Sequence, residues 1–234
     1  MGREALIAYA RDVLGIEWDL PGPRFNIAPN QIVPIFVLDG AAQPVATAAR
    51  WNLIPAFASA GDQAYLRTNA RSEEVLTKAS YREAVQRRRC LVPSDGFYEW
   101  EHLQDGRVKL PWAFELEARR PFTFAGLWER GRESLPPSFT ILTTRPNELV
   151  ARIHNRMPVM LTDEDARRWL APGPMTKEAL ARFVEPFPAG RMRSFRVNPL
   201  LNSVRQESPE AAAPAPAGES VGPASDPAGQ GELF

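Results

Sequence analysis

The run Cys90-Leu91-Val92-Pro93-Ser94-Asp95-Gly96-Phe97-Tyr98-Glu99-Trp100-Glu101-His102, continued by Trp112 to Leu116, Phe122 to Trp128 and Phe139 to Thr143, decides the fold. These are short segments rich in aromatic and branched residues, each of strand length. They are punctuated by Ser94-Asp95-Gly96 and Gln104-Asp105-Gly106, residues that accept the positive φ of tight turns. Upstream, Gln31 to Leu38 reads as another strand, with Pro34 placing it at an edge or a bulge. Helical patterns flank this block. Glu4 to Leu14 carries an apolar face and stops at Gly15. Ser80 and Glu83 form a capping box that launches a helix over Tyr81 to Arg88. Three later helices are expected at Asn147 to Ile153, Asp163 to Leu170 behind Thr162, and Lys177 to Val184 behind Thr176. Strands in sequence with helices at both ends predict an α+β domain built on antiparallel hairpins.

The chain has 234 residues, enough for one large domain or one domain with a tail. Hydrophobic residues make up 44% and charged residues 24%, as in ordinary soluble proteins. No stretch approaches 18 consecutive apolar residues, and Met1 to Leu20 holds acidic residues where a secretion signal needs an apolar run. The expectation is a cytoplasmic monomer with no membrane contact. A single cysteine, Cys90, excludes an internal disulfide, and two histidines, His102 and His154, exclude an ordinary zinc cluster. No metal or other cofactor is expected.

The net charge of zero conceals an asymmetry. From Glu207 onward there are five acidic residues and no basic one, in a segment rich in Ala, Pro, Gly and Ser. Such a composition buries too little apolar surface to offset the entropy of ordering, so residues 207–234 read as a disordered acidic tail behind a domain over 1–206. The domain then carries 28 basic against 23 acidic residues, a weak tilt towards a polyanion. All but Lys78, Lys109 and Lys177 of those basic residues are arginines, either for their phosphate-matching forks or through a general compositional bias.

No Gly-rich phosphate loop, nucleophile elbow or His-Glu-x-x-His helix is present. What remains is sparse. His154, in Ile153-His154-Asn155-Arg156-Met157-Pro158, can be a general acid or base, or simply a helix-end cap. Glu99 alternates with Tyr98 and Trp100 on a strand, sharing a face with Phe97. An apolar neighbour there would raise its pKa, and a salt bridge is the competing role. Asn69-Ala70-Arg71 offers an amide and a guanidinium on one side of a strand, a plausible clamp for phosphate or carboxylate. Cys90 follows three arginines that would favour a thiolate, but Leu91-Val92-Pro93 suits a buried structural cysteine.

In order along the chain, Arg24-Phe25-Asn26-Ile27-Ala28-Pro29, Trp51-Asn52-Leu53-Ile54-Pro55, Asn69-Ala70-Arg71, Arg89-Cys90-Leu91-Val92-Pro93, Gly96-Phe97-Tyr98-Glu99-Trp100 and Ile153 to Pro158 resemble the SOS response-associated peptidase (SRAP) family of abasic-site processing proteins. The likeness spans about Arg24 to Gln206. It implies a mixed domain with antiparallel, barrel-like sheets flanked by helices and a basic groove for single-stranded DNA. It also implies a DNA-damage-response enzyme whose N-terminal cysteine, exposed by self-removal of the initiator Met, traps an abasic aldehyde as a thiazolidine cross-link. By that resemblance Asn69, Glu99 and His154 are catalytic: Asn69 orients the amine and sugar, Glu99 shuttles protons, and His154 assists ring opening and cross-link reversal. Arg71 holds a flanking phosphate, and Thr143 lines the pocket. Trp51 and Trp100 stack on a base or sugar, or else pack in the core.

The resemblance departs at the start. The family opens Met-Cys-Gly-Arg on a strand, whereas this sequence opens Met1-Gly2-Arg3-Glu4. Deleting only the cysteine leaves almost no room for the strand. Aligning Arg3-Glu4-Ala5-Leu6 with the family's first helix instead leaves the strand out, as a misplaced start or trimmed sequence would. As written, cross-linking is expected to be lost, and a free α-amine is left that could form a Schiff base with the aldehyde. Two other functions compete: a non-catalytic single-stranded DNA binder that shields lesions, and a cysteine peptidase using Cys90, His154 and Glu99. At the far end, Gln230-Gly231-Glu232-Leu233-Phe234 resembles the Gln-x-x-Leu-Phe peptide that docks on the bacterial sliding clamp, with Gln230, Leu233 and Phe234 as its anchors.

Overall fold

The computed structural model describes residues 3–20, 22–58, 67–102, 109–132 and 135–215. Its centre is a sheet that closes on itself. β1 (Ile32–Leu38) pairs antiparallel with β2 (Pro44–Trp51) along its whole length. β4 (Arg89–Ser94) pairs antiparallel with β7 (Phe122–Glu129), and β7 with β8 (Ser138–Thr144). β8 then runs parallel to β2 through Arg50↔Ser138 and Trp51↔Phe139. Between β1 and β4 the ladder is a single pair, Phe36↔Leu91, so the sheet is ring-like without being an evenly closed barrel. β3 (Asn69–Arg71) lies parallel on β8, while β9 (Met157–Pro158) and β10 (Met160–Leu161) extend β8 and β7. A second, three-stranded sheet holds β5 (Phe97–His102), β6 (Lys109–Leu116) and β11 (Met192–Arg196) in the order β11-β6-β5.

Strand alternation sorts the core into two sides. Val33, Ile35 and Val37 join Cys90, Val92, Phe124, Phe139 and Ile141 on one side, where Phe97 and Phe114 of the small sheet close over them. Phe36 joins Leu91, Ala125, Leu127 and Leu142 on the other. That second side is covered by α1 (Arg3–Leu14) and α3 (Asp163–Leu170), with α4 (Lys177–Phe183) beyond. β8 is buried at all seven positions because strands flank both its edges. β7 and β4 meet closely at Gly126, where a Cβ would stand 2.7 Å from Cys90 Sγ and 3.0 Å from the Thr140 carbonyl. Trp169 of α3 fixes that seam from the helix side, its Nε1 donating to the Cys90 carbonyl at 3.0 Å.

Several elements follow the sequence reading. α1 ends at Gly15 with φ +69, and α3 and α4 are capped by Thr162 and Thr176 accepting from the N–H groups of Asp165 and Ala179. Others do not. The Ser80–Glu83 box starts no long helix: α2 spans only Ala84–Arg87, its N-cap is Glu83, and the cap makes no side-chain bond. Asn147 to Ile153 collapses to one 3-10 turn, Val150–Arg152, because Asn147 Oδ1 accepts from the Leu149 and Val150 N–H groups and holds a tight turn. Pro34 sits in an internal strand, at a position paired with β2 that β4 leaves uncovered. The hairpin expectation misses β2, whose alanines carry no strand signal, and the parallel pairings on β8.

The packed body also runs past residue 206. The Glu207 carboxylate accepts from the Arg24 guanidinium and from the N–H groups of Phe25 and Asn26. Ala211 is fully buried beside Val197 and Leu201, and Ala215 N–H donates to the Arg196 carbonyl at 2.8 Å. Residues 207–215 therefore dock rather than trail, because small alanines fill a space that composition alone does not foresee.

Candidate active site

Glu99 is the middle of β5, and the strand's pleat separates it from its neighbours. Tyr98 and Trp100 pack on the far side with Val197 and Leu201, while Phe97 enters the main core. The Glu99 side chain is left only 13% exposed, and burial pushes its carboxyl from 4.5 up to about 8. At neutral pH it is a carboxylic acid. Its Oε1 stands 3.7 Å from Nδ1 of His154, which follows the 3-10 turn Val150–Arg152.

The histidine is held by its own loop. Nδ1 lies 3.2 Å from the Arg156 N–H and 3.0 Å from the Arg156 carbonyl. The first partner suits an unprotonated nitrogen and the second a protonated one, so the ring nitrogen is satisfied either way. A group with partners in both states and an acid within reach can pass a proton back and forth.

Arg156 continues the chain of contacts. Its guanidinium forks onto the Glu73 carboxylate, both bonds 2.8 Å, and donates to the Thr143 carbonyl at 2.6 Å. That pairing holds the Glu73 carboxyl down at about 2. Thr143 is the β8 residue opposite Arg71 in the parallel ladder, and Asn69 stands opposite Ile141. Parallel pairing of β3 on β8 thus brings Asn69 and Arg71, both exposed, to the strand whose Thr143 is tied to the His154 loop.

The sequence-derived residues therefore divide. Glu99 and His154 come together directly, and Asn69, Arg71 and Thr143 join them through β3, β8 and Arg156. Trp100 is on the opposite face of β5 from Glu99, its Nε1 donating to Asn202 at 2.7 Å. Trp51 stacks on Phe139, 6.4 Å between centroids, and gives its N–H to the Thr68 carbonyl. Cys90 is fully buried, and burial pushes its thiol well up, so it is unsuited as the nucleophile of a peptidase. Gln230, Leu233 and Phe234 lie outside the described residues. Arg156 and Glu73 were missed as site residues. Arg156 stands within the quoted His154 motif, but only the fold shows its partner.

The SOS response associated peptidase (SRAP) family model matches residues 7–204, which takes in every residue of this arrangement. The chain belongs to the SRAP family. A similar relative is the Abasic site processing protein YoqW of Bacillus subtilis, 39% identical over 191 residues that cover 80% of this chain and 84% of that protein. The vertebrate Abasic site processing protein HMCES of Gallus gallus is 28% identical over 234 residues, covering 85% and 69%. Among solved structures, a protein from Bacteroides thetaiotaomicron superposes with TM-score 0.70 at 28% identity, covering 80% of this chain and 82% of that one. A Bordetella bronchiseptica protein shares the SRAP fold with TM-score 0.68 at 24% identity, over 82% and 95%.

Proposed function

We propose that this protein processes abasic sites in single-stranded DNA, with Glu99 and His154 as the proton-transfer pair. The observation that carries this reading is the buried, proton-retaining Glu99 carboxyl facing His154 Nδ1 at 3.7 Å. An abasic deoxyribose is a closed hemiacetal. To become reactive it must lose the proton of its C1′ hydroxyl and gain one on the ring oxygen as the C1′–O4′ bond breaks, which frees an aldehyde. Glu99 gives the proton to the ring oxygen and the imidazole takes the hydroxyl proton. The proton then returns across the Glu99–His154 contact, a gap that closes on substrate binding. Asn69 orients the sugar and Arg71 holds the flanking phosphate, as the family resemblance implies.

The test is an oligonucleotide with one abasic site, incubated with the full chain and quenched with borohydride. A trapped adduct or a nicked strand, reduced about 100-fold or more in Glu99→Gln and His154→Ala, supports the reading. Intact mass of the natively expressed protein identifies the residue that carries the free amine. A second reading is a lesion-shielding binder without chemistry, in keeping with Cys90 being buried and supplying no exposed thiol. Salt-dependent binding with neither adduct nor cleavage selects that reading. In either case Gln230, Leu233 and Phe234 supply a docking peptide for the sliding clamp, and truncating Leu233 and Phe234 is expected to abolish clamp pull-down.

A further inference from the structure

We infer that Glu73 is a positioning residue that sets the protonation geometry of His154 through Arg156. This deepens the abasic-site reading and rests on it for its catalytic consequence. The argument starts from what holds His154. Besides Glu99, Nδ1 meets two main-chain groups of one residue, Arg156, so its hydrogen bonds to them depend on where that backbone sits. A loop backbone is free to shift unless something anchors it. On one side that backbone runs straight into β9, paired with β8, and a further anchor is the residue's own side chain, bolted at two points: onto the Glu73 carboxylate through two parallel bonds of 2.8 Å, and onto the Thr143 carbonyl of β8 at 2.6 Å.

The two anchors differ in kind. The Thr143 contact is to the main chain of β8, near that strand's end. Glu73 belongs to a 3-10 turn, Ser72–Glu74, that directly follows β3, the strand bearing Asn69 and Arg71. Through Glu73, therefore, the segment that carries Asn69 and Arg71 fixes the loop that carries His154. Planar fork-on-fork pairing fixes orientation as well as distance, which a single bond to Thr143 does not. Without Glu73 the guanidinium keeps Thr143 as its partner but loses the fork that fixes its orientation, which shifts the Arg156 N–H and carbonyl against Nδ1. Glu99 from β5 continues to face the imidazole.

The sequence has only two histidines, so ring-nitrogen NMR on the free protein resolves His154 from His102 without ligand. The expected result is a changed tautomer pattern of His154 in Glu73→Ala, with the His102 signals unmoved and far-ultraviolet circular dichroism unchanged. Glu73→Asp, which keeps the charge, is expected to restore the pattern in part. On abasic oligonucleotide, Glu73→Ala is expected to lower kcat about 10- to 100-fold with a smaller change in KM, and to move the pH profile. Superimposable His154 signals in the wild type and Glu73→Ala overturn the inference. A shifted His154 in a protein that leaves abasic DNA untouched upholds the positioning role and overturns the proposed function instead.

Discussion

At the scale of single residues, Glu99 links stability to pH. Folded, it keeps its proton up to about pH 8, whereas in the unfolded chain it ionises near 4.5. Unfolding between those values releases a proton. The contribution of Glu99 is whole below pH 4.5, is lost as pH rises towards 8 and is then spent, at a slope of up to about 1.4 kcal/mol per pH unit. Glu129, also raised by burial, slopes the same way, so the diagnostic is the difference between wild type and Glu99→Gln in denaturant unfolding. That difference is expected to favour Glu99→Gln progressively from pH 5 to 8, and parallel curves would contradict it. Catalysis has the matching sign: the proton-donating form of Glu99 disappears above about pH 8, so the rate on abasic DNA is expected to fall there. Glu99 was legible because a carboxylate alternating with Phe97, Tyr98 and Trp100 on a strand must face one core or another. Arg156 was not, because its meaning lies in Glu73, 83 residues away. Trp51 and Trp100 read in the sequence either as stacking platforms or as packing residues, and the fold adds the partners of their indole N–H groups, the Thr68 carbonyl and Asn202.

At the scale of elements, caps and close approaches decide which sequence signals count. Thr162 accepts from the Asp165 N–H and donates to its carboxylate, so Thr162→Ala is expected to cost about 1 kcal/mol in thermal or denaturant unfolding. Ser80→Ala is expected to stay within about 0.5 kcal/mol, since the box it forms with Glu83 caps no long helix. Gly126→Ala forces a methyl against Cys90 Sγ and the Thr140 carbonyl, and is expected to cost about 1–3 kcal/mol. The contrast explains what could be read in advance. α1, α3, α4 and β5 are written in local periodicity and punctuation. The parallel seams of β2 and β3 on β8 depend on partners far along the chain, and Pro44-Val45-Ala46-Thr47-Ala48-Ala49-Arg50-Trp51 becomes a strand only because β1 runs beside it.

At the scale of the whole molecule, the site depends on closure. Asn69 and Arg71, Glu99, and Thr143 with His154 come from three separate stretches of the chain, on strands and loops of two sheets. Among the described residues no helix is long and apolar enough to cross a membrane. Packed contacts reach Ala215. A chain ended after Gln206 loses the Glu207 contacts with Arg24, Phe25 and Asn26 and the buried Ala211. It is expected to be less stable by about 2–4 kcal/mol than one ended after Ala215, measured as the difference in unfolding free energy between the two. Equal stabilities would return the boundary to 206.

That clasp between Glu207 and the Arg24–Asn26 loop also bears on the protein's birth. Synthesis proceeds from the N-terminus at about 5–20 residues per second, so some ten seconds or more separate the emergence of Arg24 from that of its partner. During that interval the loop of a nascent chain has neither its carboxylate nor the Leu201 and Ser203 carbonyls that hold Asn26. The early loop waits for the late segment, and Arg24 to Asn26 are secured only after Leu201 to Glu207 have emerged.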